Sequence, residues 1–178
     1  MIKTELLSQL ENAKTNFILV LASTSLFSNQ KTYPILDESN CKFGKYSIEF
    51  KQIANMMKKE SDRNIACKEY VNMGLRILIK ETFELIKDYS KETQQEPKFT
   101  SQRWYQFARC IRNCLSHNFK FQLHDKKNKL LYKLPISWKN KTIDVSFDNT
   151  YLQLSFFGYV EAWELFDEMQ LFVKNTLN

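Results

Sequence analysis

The sequence predicts a mainly α protein, an antiparallel helical bundle with a small β-like insertion before its last helix. Three observations lead there. Apolar residues recur at steps of three and four through most of the chain. Gly and Pro number only three each, too few for the many tight turns of an all-β fold. One stretch alone, 119–155, changes to alternation with period two. At 178 residues the chain fits one domain spanning residues 1–178. Hydrophobic residues make up 43%, ample material for a core, which excludes a disordered or fibrous class.

The first helix is expected over about 3–26, where Leu6, Leu10, Ala13, Phe17 and Leu21 form one apolar face. Residues 28–44, with Ser28, Asn29, Pro34, Asp37, Asn40 and Gly44, read as a long connection. A second helix is expected over about 46–60, with Tyr46, Phe50, Ile53 and Met57 on one side, and Ser61 and Asp62 as a break and new N-cap. The third and longest helix is expected over about 63–91. Its stripe of Val71, Leu75, Leu78, Thr82, Leu85 and Tyr89 is widened by Ile79, Phe83 and Ile86, so it should pack against more than one neighbour. The polar segment 91–98, with Pro97, reads as a solvated loop.

A fourth helix should start near Thr100 or Ser101 and bury Trp104, Phe107, Ala108, Ile111 and Leu115. Beyond Asn118, short strands are expected around Phe119, Phe121 and Leu123, around Leu130, Tyr132 and Leu134, and around Ile143, Val145 and Phe147. Turns at 125–129 and 139–141 would join them. The last helix, about 157–176, carries Ala162, Phe166, Met169, Val173 and Leu177 on its buried side.

A formal net charge of +6 suits a polyanionic partner, because each phosphate neutralised by Lys or Arg releases a condensed counterion. The apolar run from Phe17 to Ala22 is short, lacks a basic lead and does not resemble a signal peptide. No stretch approaches the roughly 20 apolar residues of a membrane span. The expectation is a cytoplasmic protein with Cys41, Cys67, Cys110 and Cys114 reduced.

Polar groups concentrate on the fourth helix: Arg103, Arg109, Arg112, Asn113, Ser116, His117, Asn118 and Lys120. Arg offers a planar fork of donors suited to phosphate. His can give or take a proton near neutral pH. Together they can cleave a phosphodiester without a metal or other cofactor: His acts on an oxygen while Arg stabilises the charge that builds in the transition state. Arg112 and His117 are five residues apart, about 140° around an ideal helix, so they do not share a stripe. Asn113 and His117 do share one, as do Arg109, Arg112 and Ser116. Convergence needs the helix to end or bend near Ser116, the Arg to swing across, or a second subunit to complete the site.

The string Arg112-Asn113-Cys114-Leu115-Ser116-His117 resembles the Arg-X4-6-His signature of the HEPN superfamily, with a polar residue after the Arg and the motif late in an all-helical bundle. The resemblance implies a HEPN-like bundle in which 119–155 is an elaboration. It implies a metal-independent endoribonuclease acting as a homodimer, its two motifs facing each other. Arg112 would contact the scissile phosphate, His117 would perform acid–base chemistry during attack by the 2′-hydroxyl, and Asn113 would position them. Arg109, Ser116, Arg103 and Lys120 would contact RNA. Members often serve as toxins or antiviral effectors. Some answer to an antitoxin that modifies a Tyr two residues after the His, where this chain has Phe119. Two other readings stand beside this one: a non-catalytic module that binds RNA or a nucleotide, and a structural helical bundle that docks on a partner.

Other residues carry plainer readings. His117 could simply stabilise the carbonyls at a helix end. His124, the only other His, lies in a turn-prone, lysine-rich stretch, where an acid–base pair with His117 is conceivable. Cys110, Cys114 and His117 have the spacing of metal ligands on a helix, but thiols beside Ile111 and Leu115 are more often small core residues. Lys126, Lys127 and Lys129 read as a solvated turn able to touch RNA backbone. Trp104, Trp138 and Trp163 read as core anchors, with Trp138 also placed to stack a base.

Overall fold

The computed structural model describes residues 1–178 and is mainly helical, with two small antiparallel hairpins. In chain order the elements are α1 (Lys3–Phe27), α2 (Tyr33–Glu38), β1 (Asn40–Phe43), β2 (Tyr46–Glu49), α3 (Lys51–Lys58) and α4 (Glu60–Leu75). A π-helical segment (Arg76–Glu81) runs on into α5 (Thr82–Glu92). Then come α6 (Glu96–Thr100), α7 (Tyr105–Ser116), β3 (Ile136–Trp138), β4 (Lys141–Ile143) and α8 (Tyr159–Thr176). The residues cluster into two compact units. One holds Met1–Thr15 with Leu75–Asn178, and the other Asn16–Gly74.

The 16–74 unit buries Phe17, Val20, Tyr33, Ala54, Met57 and Val71. Gly74 permits the close approach of α4 to α1: a Cβ there would lie 3.0 Å from Val20 Cγ1 and 3.1 Å from Phe17 Cδ2. Two expectations are corrected in this unit. The connection 28–44 contains a 3-10 turn at Gln30–Thr32, the helix α2 started by Pro34, and β1. The expected helix 46–60 begins as a strand: Cys41 pairs with Ile48 and Phe43 with Tyr46, across a turn where Gly44 takes φ +57°. Helix resumes only at Lys51, and its buried residues are Ala54 and Met57, not Tyr46 or Ile53. The next helix starts at Glu60, before Ser61 and Asp62.

The larger unit is built on periodicity that the sequence displays. Leu6, Leu10 and Ala13 of α1 are buried, as are Leu78, Ile79, Phe83, Ile86 and Tyr89 on the π segment and α5. The π segment brings consecutive Leu78 and Ile79 to full burial, which widens the apolar stripe. Ala162, Phe166, Met169 and Val173 of α8 are buried too. Segment 91–98 departs from a plain loop: Pro97 sits in the first turn of α6, so Thr100 ends α6 and does not cap α7. Helix α7 starts at Tyr105 without a side-chain cap, and packs on the π segment, α5, α6 and β3.

The 119–155 region is less regular than period two suggested. Phe121 and Leu123 are buried on either side of the exposed Gln122, but only single bridges form, Lys120 with Tyr151 and His124 with Leu130. Val145–Phe147 is a 3-10 turn, not a strand. The true hairpin is β3–β4, with Ile136 opposite Ile143 and Trp138 opposite Lys141. Trp138 stacks on Phe107 of α7, ring centroids 5.1 Å apart, and donates to Glu168 Oε2 of α8 at 3.2 Å. Buried there, it anchors the hairpin and presents no face for a base. No helix is long and apolar enough to cross a membrane.

Candidate functional site

Helix α7 presents the motif because its two faces differ so sharply. Phe107, Ala108, Ile111 and Leu115 point into the core, each at most 1% exposed. Cys110 and Cys114 join them, and burial pushes both thiols up to about 12. They are core residues, as their neighbours suggested. No group of three or more His, Cys, Asp or Glu side chains is placed to hold a metal ion.

The opposite edge of α7 carries Arg109, Arg112 and Asn113. With Phe83, Lys87 and Tyr105 they line a cleft of about 170 Å³. Arg112 forms an ion pair with Glu84 of α5, while its Nη1 donates to Asn113 Oδ1 at 2.6 Å. Its Nε is buried with no acceptor of its own. Glu84 also takes Lys87 Nζ at 3.0 Å. Arg109, Arg112 and Lys87 thus line the cleft beside two aromatic rings, and Glu84 pairs with Arg112 and Lys87, so positive charge is in surplus there.

Tyr132 closes this arrangement from the 119–155 region. Asn113 Nδ2 donates to its hydroxyl, and the Arg109 guanidinium lies 5.0 Å from its ring centroid. Burial, reinforced by the neighbouring Cys110, raises the phenol to about 12, although Asn113 and both arginines oppose the rise. Tyr132 therefore stays a neutral acceptor for Asn113.

The helix ends at Ser116, one of the three arrangements the spacing left open. Ser116 is the last helical residue, its Oγ donating back to Arg112 O at 3.0 Å. His117 leaves the helix at φ −103°, ψ 45°, its backbone N–H bonded to Asn113 O and Cys114 O. Asn118 and Phe119 then take φ +53° and +62°. Two successive left-handed residues cost roughly 1–2 kcal/mol each, more readily borne by Asn than by Phe. Arg76 holds the reversal: Nε donates to Leu115 O at 3.2 Å, Nη2 to Asn118 Oδ1 at 3.2 Å, and the guanidinium lies 5.0 Å from the Phe119 ring centroid.

His117 is exposed and does not line the Arg112 cleft. The structure thus gathers Arg109, Arg112 and Asn113 and leaves His117 beyond them at the helix end. Ser116 is exposed beside it. Lys120 follows, with its backbone N–H on His117 O at 3.0 Å. Arg103 is exposed and lines a different groove, with Glu168, Leu171 and Asn175. Comparison with protein-family models, with curated proteins and with solved structures yields no match in any of the three.

Sequence reasoning missed Tyr132, Glu84, Lys87 and Arg76. Glu84 and Lys87 carried a usable signal, a charged pair at i, i+3 on the polar side of α5. Arg76 falls at the edge of the apolar stripe, next to Leu75, and its position alone gave no signal. Tyr132 gave no signal beyond its alternation with Leu130 and Leu134.

Proposed function

We propose that this chain binds RNA and cleaves it without a metal, using Arg112, Asn113 and His117 in the manner of HEPN-like endoribonucleases. The observation that carries this reading is the Arg109–Arg112–Asn113 cleft on α7, followed directly by an exposed His at the helix end. Arg112 would exchange Glu84 for a phosphate oxygen, a swap of one anion for another that keeps the guanidinium paired. Asn113, held by Tyr132 and Arg112, would keep the fork in register. His117 would supply acid–base chemistry to the 2′-hydroxyl or the leaving oxygen.

Because His117 does not line the Arg112 cleft, the reading requires a homodimer with a composite site, Arg112 of one copy working with His117 of the other. Mixing tests this. Arg112→Ala and His117→Ala chains are each inactive alone. Mixed and allowed to exchange, they form mixed dimers with one intact site of two, restoring about a quarter of the parent's sites. No restoration on exchange rejects the composite arrangement.

The biological role that goes with this reading is a toxin or antiviral effector restrained by a partner. Phe119 has no hydroxyl and packs on Arg76, so restraint by tyrosine modification at that position has no acceptor here. A second reading, RNA or nucleotide binding without turnover, is favoured by the Glu84 ion pair that occupies Arg112. It predicts salt-sensitive binding that depends on Arg109 and Arg112 but not on His117.

A further inference from the structure

A second cluster stands apart from the α7 cleft and shares no lining residue with it. His124 Nδ1 lies 2.9 Å from Asp148 Oδ2. Asp148 is fixed in turn, its Oδ1 accepting the Leu123 backbone N–H at 2.7 Å and its Oδ2 the Asn149 amide at 3.2 Å. Burial opposes ionisation of Asp148, but these donors and His124 outweigh it and hold the carboxyl below its ordinary range. The His124 backbone is equally constrained. It bridges Leu130, and the turn beyond it is tied by Asp125 N to Lys129 O at 2.8 Å and by Asp125 Oδ1, which accepts the backbone N–H groups of Lys127 and Lys129.

The pair opens on a cleft of about 470 Å³ lined also by Gln122, Asp125, Lys126, Asn128 and Asn149. The carboxylate on Nδ1 fixes the ring orientation. In its protonated form the ring donates from Nε2 as well. Lys126 borders the cleft, and Lys127 and Lys129 follow on the same turn. His124 and Lys126 line the cleft with Asp148 and Asp125, and Asp125 is already turned onto its own backbone. Gln122, Asn128 and Asn149 add side-chain amides able to donate to oxygen, beside the apolar Leu131. Donors around a positive centre in a cleft of this size suit an oxyanion with several acceptor oxygens.

We propose that the His124–Asp148 cleft is a phosphate-binding site, whose ligand oxygen accepts from His124 Nε2 and pairs with Lys126. The ligand is a phosphate group, either on a nucleotide or in an RNA backbone. Binding strengthens as His124 takes up a proton; the charged groups facing its ring are Asp148, Asp125 and Lys126.

The chain has two histidines, so NMR of the imidazole signals in the intact protein isolates the site, with His117 as the internal control. The probes are inorganic phosphate, uridine monophosphate, a short single-stranded RNA, and sulfate, whose charge is constant near neutral pH. The expected result is a saturable shift of the His124 signals with phosphate and nucleotide. Sulfate affinity should fall up to about tenfold per pH unit once the ring loses its proton. His124→Gln and Lys126→Gln should each weaken nucleotide binding by about tenfold or more. Asp148→Asn should weaken it and flatten its pH dependence. A tighter response to the RNA than to the monophosphate assigns the phosphate to a nucleic-acid backbone, and the reverse to a free nucleotide; either supports the site. A non-saturating His124 shift, one that only parallels His117, or full nucleotide affinity in a folded His124→Gln protein would overturn it. Inorganic phosphate, the monophosphate and sulfate hold no phosphodiester to cut, so their outcome is independent of the Arg112 reading.

Discussion

The Arg109 guanidinium lies 5.0 Å from the centroid of the Tyr132 ring, joining the motif helix to a region that the sequence suggests is an elaboration. The same tyrosine accepts from Asn113. Segment 119–155 is therefore part of the candidate site and not an appendage.

Tyr132→Phe should keep the ring beneath Arg109 and leave the Asn113 amide unpaired. Leaving a partly buried donor without its partner costs about 1–3 kcal/mol. Urea denaturation should show a lower midpoint with an unchanged slope. Tyr132→Ala, which also empties a buried aromatic site, should lose about 3–5 kcal/mol.

Glu84→Gln removes the carboxylate that occupies Arg112. RNA affinity should rise by up to about tenfold, equivalent to about 1.4 kcal/mol. Stability should change by no more than about 1 kcal/mol, because the pair is partly solvated. Fluorescence-anisotropy titration with labelled RNA measures the first and thermal unfolding the second. Unchanged or weakened RNA binding would show that Glu84 does not compete with phosphate.

The thiols should divide sharply in reactivity. Cys41 is exposed, whereas Cys110 and Cys114 are buried with their thiols raised to about 12. The thiolate is the reactive form. Brief alkylation of the native protein at neutral pH, read by peptide mass spectrometry, should label Cys41 and spare Cys110 and Cys114 until urea is added.

Alkali should unfold the protein through the same neighbourhood. Tyr132, Cys110 and Cys114 are all held near 12 in the folded chain, above ordinary values of 10.0 and 9.0. A raised acid group favours the protonated folded form, so its contribution is complete below the unfolded pKa. It is lost as pH rises through the folded one. The urea midpoint should decline from about pH 9 toward pH 12. Replacing both cysteines with alanine should delay the onset toward pH 10, where the phenol takes over.

Much of this was legible in the residues. The stripes of α7 and α8 chose buried faces throughout, while those of α1 and α5 did so except at Leu21 and Leu85, which are half-buried. The ending of α7 at Ser116 matches one of the three routes to convergence that the motif's spacing left open, although it does not bring His117 into the Arg112 cleft. The hairpin at Asn40–Glu49 was not legible. Tyr46, Ile53 and Met57 happen to fit a helical stripe, yet the strand residues Tyr46 and Ile48 are exposed and so obey no burial pattern. Nor was the partnership of Asn113 with Tyr132, 19 residues away through irregular chain. Local periodicity describes faces of elements; it does not say which loop side chain closes over them.

The most direct measurement is cleavage of single-stranded RNA in EDTA by the parent chain, Arg112→Ala and His117→Ala, with the fold of each checked by circular dichroism. The account predicts that the parent cleaves in EDTA. Each variant should fall by roughly 10²–10⁴-fold while remaining folded, the range expected for losing a positioned acid–base group or a charge-stabilising donor. A parent that binds RNA without cutting it, or folded variants that cut as fast as the parent, would contradict it.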